Sequence, residues 1–315
     1  KYQKPSKEIL DLVEFERPPS ILYDENKNFM VFLFRDNYKS IAELSAKELR
    51  LGGLRIDPKT NIGSRVTYYN NVKIRNLKNQ KSEITQVKGL PKNPKLSNIS
   101  WSPDQKRIAL TNTTETGVEL WVLELENGSV TKLTESNLNS NIGSVINWFS
   151  DSENMLVKMI SNNRRPLIDT NKIVPDGPTI STNFGEKAQN RTYQDLLKNK
   201  FDEHNFEQLS TSTIYKVSID GSVKKWMDDG MYRTISFSPN GEYVMISQIN
   251  KPFSYLVTYT RFPTETNIYN KDGDFVSNLQ KVPLIEELPK GFMSVRTGKR
   301  SFSWRPDKGA SLTYV

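Results

Sequence analysis

The side chains that could do chemistry in this chain are few, and their types narrow the field at once. There is one histidine, His204, set in Asp202-Glu203-His204-Asn205, and there is no cysteine. A serine nucleophile needs a histidine to take its proton, and it is usually presented on a Gly-x-Ser-x-Gly elbow. No such elbow occurs in the sequence. His204 therefore reads as a helix-surface residue, and no catalytic residue is assigned. A zinc site draws on several His or Cys ligands, which one histidine and no cysteine cannot supply. Gly52-Gly53 lacks the Gly-Lys-Ser/Thr of a phosphate loop. Asn270-Lys271-Asp272-Gly273-Asp274 reads as a hairpin turn rather than a calcium loop, and Glu286-Glu287, between Pro283 and Pro289, as a linker. No metal and no cofactor are expected.

What remains is charge that could bind. Arg164, Arg165 and Arg191 fall within one stretch, residues 161–210, and a guanidinium can hold a carboxylate in bidentate fashion. Arg191 lies four residues before Asp195 and would reach it along a helix. Arg164 and Arg165 stand beside Pro166 in a non-helical run and point to an acidic ligand or a neighbouring domain. The net charge is +8, from 44 basic and 36 acidic residues. That excess suits an acidic peptide, but the lysines are scattered, with no basic run interleaved with stacking aromatics, so nucleic acid is not an expected partner. No apolar stretch approaches the length of a membrane span. The chain begins at Lys1 with no charged-then-apolar leader. The absence of cysteine suits either redox compartment and leans towards an oxidising one.

The elements that must position these residues announce themselves by repetition. Ile99-Ser100-Trp101-Ser102-Pro103-Asp104 is followed by Arg107-Ile108-Ala109-Leu110. The same wording returns around Trp148, Phe237 and Trp304. Each copy is an aromatic-bearing strand, a tight turn and a β-branched or apolar strand. Second hairpins follow, turning at Asn127-Gly128, Asp220-Gly221 and Asp272-Gly273, dipeptides that accept the positive φ of hairpin turns. Self-similarity at roughly 40–50 residues, two hairpins at a time, predicts four-stranded blades of a β-propeller. The cassette aromatics Trp101, Trp148, Phe237 and Trp304 are expected as blade markers, buried between neighbouring sheets.

The fold class is therefore all-β: a partial β-propeller of about four to five four-stranded blades with short helical insertions. Residues 1–17 form an N-terminal helical arm, its helix capped by Ser6, and residues 18–315 the propeller fragment. Ser20 to Phe34 is a divergent cassette. Ser40 to Leu51 reads as a second short helix, and Leu54 to Arg75 as strand material closing the first blade. The second blade covers about Leu96 to Thr134. The third starts at Ser144, is interrupted by residues 161–210 with a helical run from Thr192 to Gln208, and resumes at Thr213. The fourth covers Tyr232 to about Val276. A fifth has only its first hairpin when the chain stops, so the propeller is expected to be incomplete.

Longer, irregular motifs then carry a resemblance. Ile41-Ala42-Glu43-Leu44 with Leu49 to Ile56 resembles the N-terminal propeller of the prolyl oligopeptidase family, glutamyl endopeptidase branch. So do Val174-Pro175-Asp176-Gly177-Pro178, Arg191 to Leu197, Pro252 to Val257 with Arg261-Phe262-Pro263, and Ser294 to Arg300. The similarity runs from about Tyr2 to Val315. It implies the propeller of a secreted or periplasmic serine peptidase, gating and orienting peptide substrates, with possible cleavage after Glu. The expected partners are the peptide and the protein's own C-terminal α/β-hydrolase domain, which is absent from this chain and would carry the catalytic serine. The alternative is a stand-alone, non-catalytic binding propeller of the cell envelope.

Overall fold

The computed structural model describes residues 3–79, 81–169, 172–174, 177, 182, 185, 192–289 and 293–315. It opens with α1 (Lys7–Val13), a short helix beginning after Ser6. Strands β1 (Ser20–Tyr23) and β2 (Phe29–Phe34) pair antiparallel, Tyr23 opposite Met30. Next come α2 (Ile41–Leu44), β3 (Leu49–Leu51), β4 (Leu54–Asp57) and β5 (Ile62–Gly63). Then β6 (Asn71–Asn76) and β7 (Thr85–Gln86) complete the first blade in the order β1-β2-β6-β7.

The second blade is β8 (Leu96–Trp101), β9 (Arg107–Thr113), β10 (Val118–Glu124) and β11 (Ser129–Lys132), each paired with the next. The third begins with β12 (Ile146–Trp148) and β13 (Asn154–Ile160). After the insertion and α3 (Lys200–Ser210), it resumes with β14 (Ser212–Ser218). Strand β15 (Val223–Phe237) is long enough to serve twice, as the last strand of blade three and the first of blade four. Blade four continues with β16 (Tyr243–Ile249), β17 (Thr264–Asn270) and β18 (Phe275–Val282). A final hairpin, β19 (Ser303–Trp304) with β20 (Leu312–Thr313), starts a fifth unit. No helix among the described residues is long and apolar enough to cross a membrane.

The recurring turn has a physical cause. Ser102 Oγ accepts from the Arg107 N–H at 3.0 Å and donates to Asp104 at 2.7 Å. Ser238 does the same with the Tyr243 N–H and Asn240, at 3.0 and 2.7 Å. The chain reverses through a positive φ at Lys27, Gln105, Ser152 and Gly241 in blades one to four. Small polar residues satisfy the exposed backbone groups of such turns.

Neighbouring blades meet through apolar faces. Val31, Leu33 and Val72 of the first pack with Leu96, Ile108 and Leu110 of the second. Ala109, Leu120 and Val122 of the second pack with Ile146, Met155 and Val157 of the third. Leu156 and Ile214 of the third meet Val244 and Ile246 of the fourth. There Phe149 and Phe237 lie 4.7 Å apart and tilted, a geometry worth about 0.5–1.5 kcal/mol beyond area burial. Two cassette tryptophans also stitch blades by a repeated bond. The Trp148 Nε1–H donates to the Ser100 carbonyl at 3.2 Å, and the Trp304 Nε1–H to the Ser236 carbonyl at 3.1 Å. Trp148 is buried, whereas Trp101, Phe237 and Trp304 are only half-buried.

Two expected elements differ. The helix over Ser40 to Leu51 shrinks to four residues, with Ile41 and Leu44 exposed, because Leu49–Leu51 is drawn into a strand opposite Leu54–Ile56. Gly52 and Gly53 both have positive φ and make the reversal between them. The material after Leu54 accordingly builds a separate sheet, β3-β4-β5, and only β6 and β7 close the first blade.

Candidate functional site

An antiparallel meander sorts its connections by end. The first-to-second and third-to-fourth strand turns leave from one end of every blade, and these are the tight cassette turns and, in blades two to four, the Gly turns. Second-to-third strand connections, and the passages between blades, leave from the other end. Blade two makes its second-to-third connection in one turn closed by the Thr114 N–H and the Gly117 carbonyl. In blades one, three and four the same connection is long, so three insertions arise side by side at one end. They form a cap with its own core: Leu51 and Ile56 from the first, Leu197, Phe206 and Leu209 from the second, Phe253, Val257 and Phe262 from the third. Phe206 meets Phe253 and Phe262 edge-on at 5.1 and 5.5 Å. The Gly52-Gly53 turn is clamped between the other two insertions. The Gly53 N–H donates to the Asp195 carbonyl and the Tyr259 N–H to the Gly52 carbonyl, both at 2.8 Å. A Cβ on Gly53 would lie 2.7 Å from Thr258 Cγ2.

This cap end is also where the guanidiniums gather. Of the described arginines only Arg75, Arg107 and Arg305 sit at the tight-turn end, at the end of β6, the start of β9 and the turn after β19. Some cap arginines are neutralised. Arg55 Nε lies 2.6 Å from Asp195 Oδ2. Glu48 takes Arg50 at 2.9 Å and Arg65 at 3.1 Å. The Ser64 hydroxyl, then these two guanidiniums, hold the Glu48 carboxyl down at about 2.

Arg164 and Arg165 differ from each other. Arg164 Nη1 donates to Asn61 Oδ1 at 2.5 Å, and its Nη2 is buried with no hydrogen-bond partner among the described residues. Burial pushes its guanidinium below the ordinary range. Arg165 is exposed, its backbone N–H donating to Gln208 Oε1 at 2.7 Å and its guanidinium 3.9 Å from Glu207. Arg191 lies outside the described residues. Asp195, its expected helical neighbour, has φ 58 and lies outside any helix, with Arg55 as a close cation. The helical run expected from Thr192 begins only at Lys200, where Asn199 accepts from the Phe201 and Asp202 N–H groups at 3.0 and 2.9 Å. Asn199 as a cap, with Asp202 and Glu203 in the first turn, was the available signal. His204 on that helix donates from Nε2 to the Pro166 carbonyl at 3.0 Å. That hydrogen bond is to a backbone carbonyl and not to a serine hydroxyl.

Two features escaped the sequence. Asn139 Nδ2 donates to the Leu209 and Thr211 carbonyls, both at 2.9 Å, and Asn141 Nδ2 to the Leu209 carbonyl at 2.8 Å. These bonds tie the end of α3 to blade three, and the asparagine-rich run Asn137 to Asn141 was their only sign. Lys158, in the middle of β13, is 2% exposed, and its Nζ donates to the Ile142 carbonyl. Burial alone pushes its ammonium down to about 7.

No family model matches the chain. Over its whole length the chain is 32% identical to the probable glutamyl endopeptidase, chloroplastic, of Oryza sativa subsp. japonica, and covers 34% of that protein. It is 32% identical to the protein of the same name in Arabidopsis thaliana, over 99% of this chain and 33% of the relative. The chain thus spans about a third of the length of the curated relatives it matches. Among solved structures, the Pyrococcus horikoshii acylaminoacyl peptidase covers 86% of this chain with 33% of its own, at 16% identity and a TM-score of 0.44. Prolyl oligopeptidase B from Galerina marginata covers 84% with 27% of its own, at 12% identity and a TM-score of 0.41.

Proposed function

We propose that this chain, which belongs to the glutamyl endopeptidase branch of the prolyl oligopeptidase family as its N-terminal propeller portion, gates and orients peptide substrates for an α/β-hydrolase domain. The observation that carries the reading is the match of the whole chain to a third of two proteins named as glutamyl endopeptidases. A helical arm over residues 1–17, a propeller over residues 18–315 and a following hydrolase divide the labour. The hydrolase supplies serine, histidine and aspartate, and the propeller limits which peptides reach them. Cleavage after Glu is proposed from the relatives' names. Arg164, whose guanidinium has no carboxylate partner among the described residues, and the exposed Arg165 are the proposed contacts for an acidic substrate. Arg191 is proposed with them. The proposed location is the periplasm or outside the cell, although the names of the plant relatives place those proteins in the chloroplast. Fractionation of the native host checks this.

The functional test uses the full gene product. It should cleave a short Glu-containing peptide far faster than the same sequence embedded in a folded protein. Replacing Arg164 and Arg165 together by Ala should raise KM for Glu peptides more than for neutral ones. Equal rates on short and folded substrates would remove the gating role. An equal KM effect on both peptide classes would make the two arginines scaffold.

A further inference from the structure

On its far side, away from blade three, the fourth blade borders a cavity of about 570 Å³ at the cap end. Thr234, Ser247, Thr266 and Gln280, partners across successive strands, form its floor. Each of the other blade-to-blade faces is filled by apolar side chains. This face sets hydroxyls and an amide beside apolar side chains such as Met245, Val282 and Phe302. Its rim carries Arg233 at the start of the blade, Arg261 from the blade-four insertion, and Arg296 and Arg300 from the segment leading into the last hairpin.

All four arginines are half-buried. Among the described residues no carboxylate lines the cavity, and none of the four arginines forms an ion pair with a described residue. Their hydrogen bonds go to neutral groups. Arg233 donates to the Thr260 carbonyl at 3.4 Å, and Arg296 to Gln280 Oε1 at 3.2 Å and to the Thr297 carbonyl at 3.1 Å. Arg261 lies over the Tyr193 ring, 5.6 Å from its centroid. Burial, and then the charge of Arg300, push the Arg296 guanidinium below its ordinary range. Half-buried cations without counter-ions repel one another, and an incoming carboxylate relieves that cost. Guanidiniums suit this ligand because their planar fork meets both carboxylate oxygens.

We propose that this cavity binds an acidic side chain of a peptide, with the four arginines as counter-charges and the floor hydroxyls fixing its orientation. The inference rests on the reading of the chain as the substrate-handling part of a peptidase. His204 does not line the cavity.

The test titrates this chain with a fluorescent octapeptide containing two Glu residues and with its Gln twin. The Glu peptide should bind at least about tenfold tighter, the scale of one charge-assisted hydrogen bond, and the preference should shrink at high salt. Arg261→Gln with Arg300→Gln should abolish the preference while leaving the melting temperature near that of the parent. If that variant unfolds, Arg300→Gln alone carries the test. A Glu preference unchanged in a folded cavity variant overturns the proposal, since Arg164 and Arg165 would then account for it. Equal affinity for the twins overturns the proposal. So does displacement of the Glu peptide by an equimolar amount of inorganic phosphate, which would make the cavity a simple anion site. Because the assay needs no hydrolase domain, its failure leaves the peptidase reading standing. Failure of that reading would show instead as a full gene product that hydrolyses nothing.

Discussion

Replacing Lys158 by methionine keeps the length of a buried side chain and removes an ammonium that the fold holds out of water. Among the described residues Nζ donates to the Ile142 carbonyl alone, and burial lowers its pKa from 10.5 to about 7. An unfolded chain therefore keeps this proton between pH 7 and 10.5 while the folded chain gives it up. More protons on the unfolded state means that stability rises with pH across that window and is flat below it. The full shift corresponds to about 4–5 kcal/mol of destabilisation at neutral pH, at about 1.4 kcal/mol per unit. Most of this vanishes by pH 10. Denaturant midpoints and slopes for parent and Lys158→Met, measured at pH 7, 8.5 and 10, give the difference directly. Other titrating groups cancel between the two proteins. The variant should gain on the order of 4 kcal/mol at pH 7 relative to its position at pH 10, where lost packing and the lost hydrogen bond remain as its only cost. A difference that stays constant across the three pH values would refute the reasoning, because it would mean that Nζ titrates alike in both states.

The remaining predictions are shorter. Trp148→Ala should cost about 3–5 kcal/mol, since this ring is buried and bonded to the neighbouring blade, whereas Trp304→Ala should cost less. A thermal shift within error for Trp148→Ala contradicts the role of that ring between blades. Glu48→Gln should destabilise the chain at pH 7, where the lowered carboxyl is fully charged. The gap to the parent should close as pH falls from 4.5 towards 2, and a gap unchanged at pH 2 would remove Glu48 from the acid limb. The purified chain should show no hydrolysis of a Glu-containing chromogenic peptide, and turnover that survives repurification would reveal a catalytic group outside this account.

The blades were legible because their information is local. A serine or aspartate before a reversal, a residue at positive φ and a β-branched strand after it state the hairpin within ten residues, as Ser102 and Ser238 do. The cap was less legible because its elements are fixed by partners far along the chain. Leu49 to Leu51 alternate weakly enough to pass for a helix end, and only pairing across Gly52-Gly53 decides otherwise. A two-glycine reversal flanked by Leu-Arg-Leu and Leu-Arg-Ile was the hairpin signal to weigh more heavily. Asp195 looked like a helical neighbour of Arg191, yet its partner Arg55 comes from the first insertion. Lys158 is the one charged residue in the run Met155 to Ile160. Its burial and its bond to the Ile142 carbonyl involve a residue sixteen positions earlier, outside the strand's own pattern. The cavity arginines belong to three separate segments, so no window of sequence contains them together.

The central claim is that this propeller serves a serine hydrolase encoded with it. The most direct measurement is fluorophosphonate labelling of the full gene product from its native host, with the modified residue mapped by mass spectrometry. The account predicts a single labelled serine beyond Val315, within Gly-x-Ser-x-Gly, and loss of labelling when that serine is replaced by alanine. A product that ends after one or two further blades and takes up no label would contradict it.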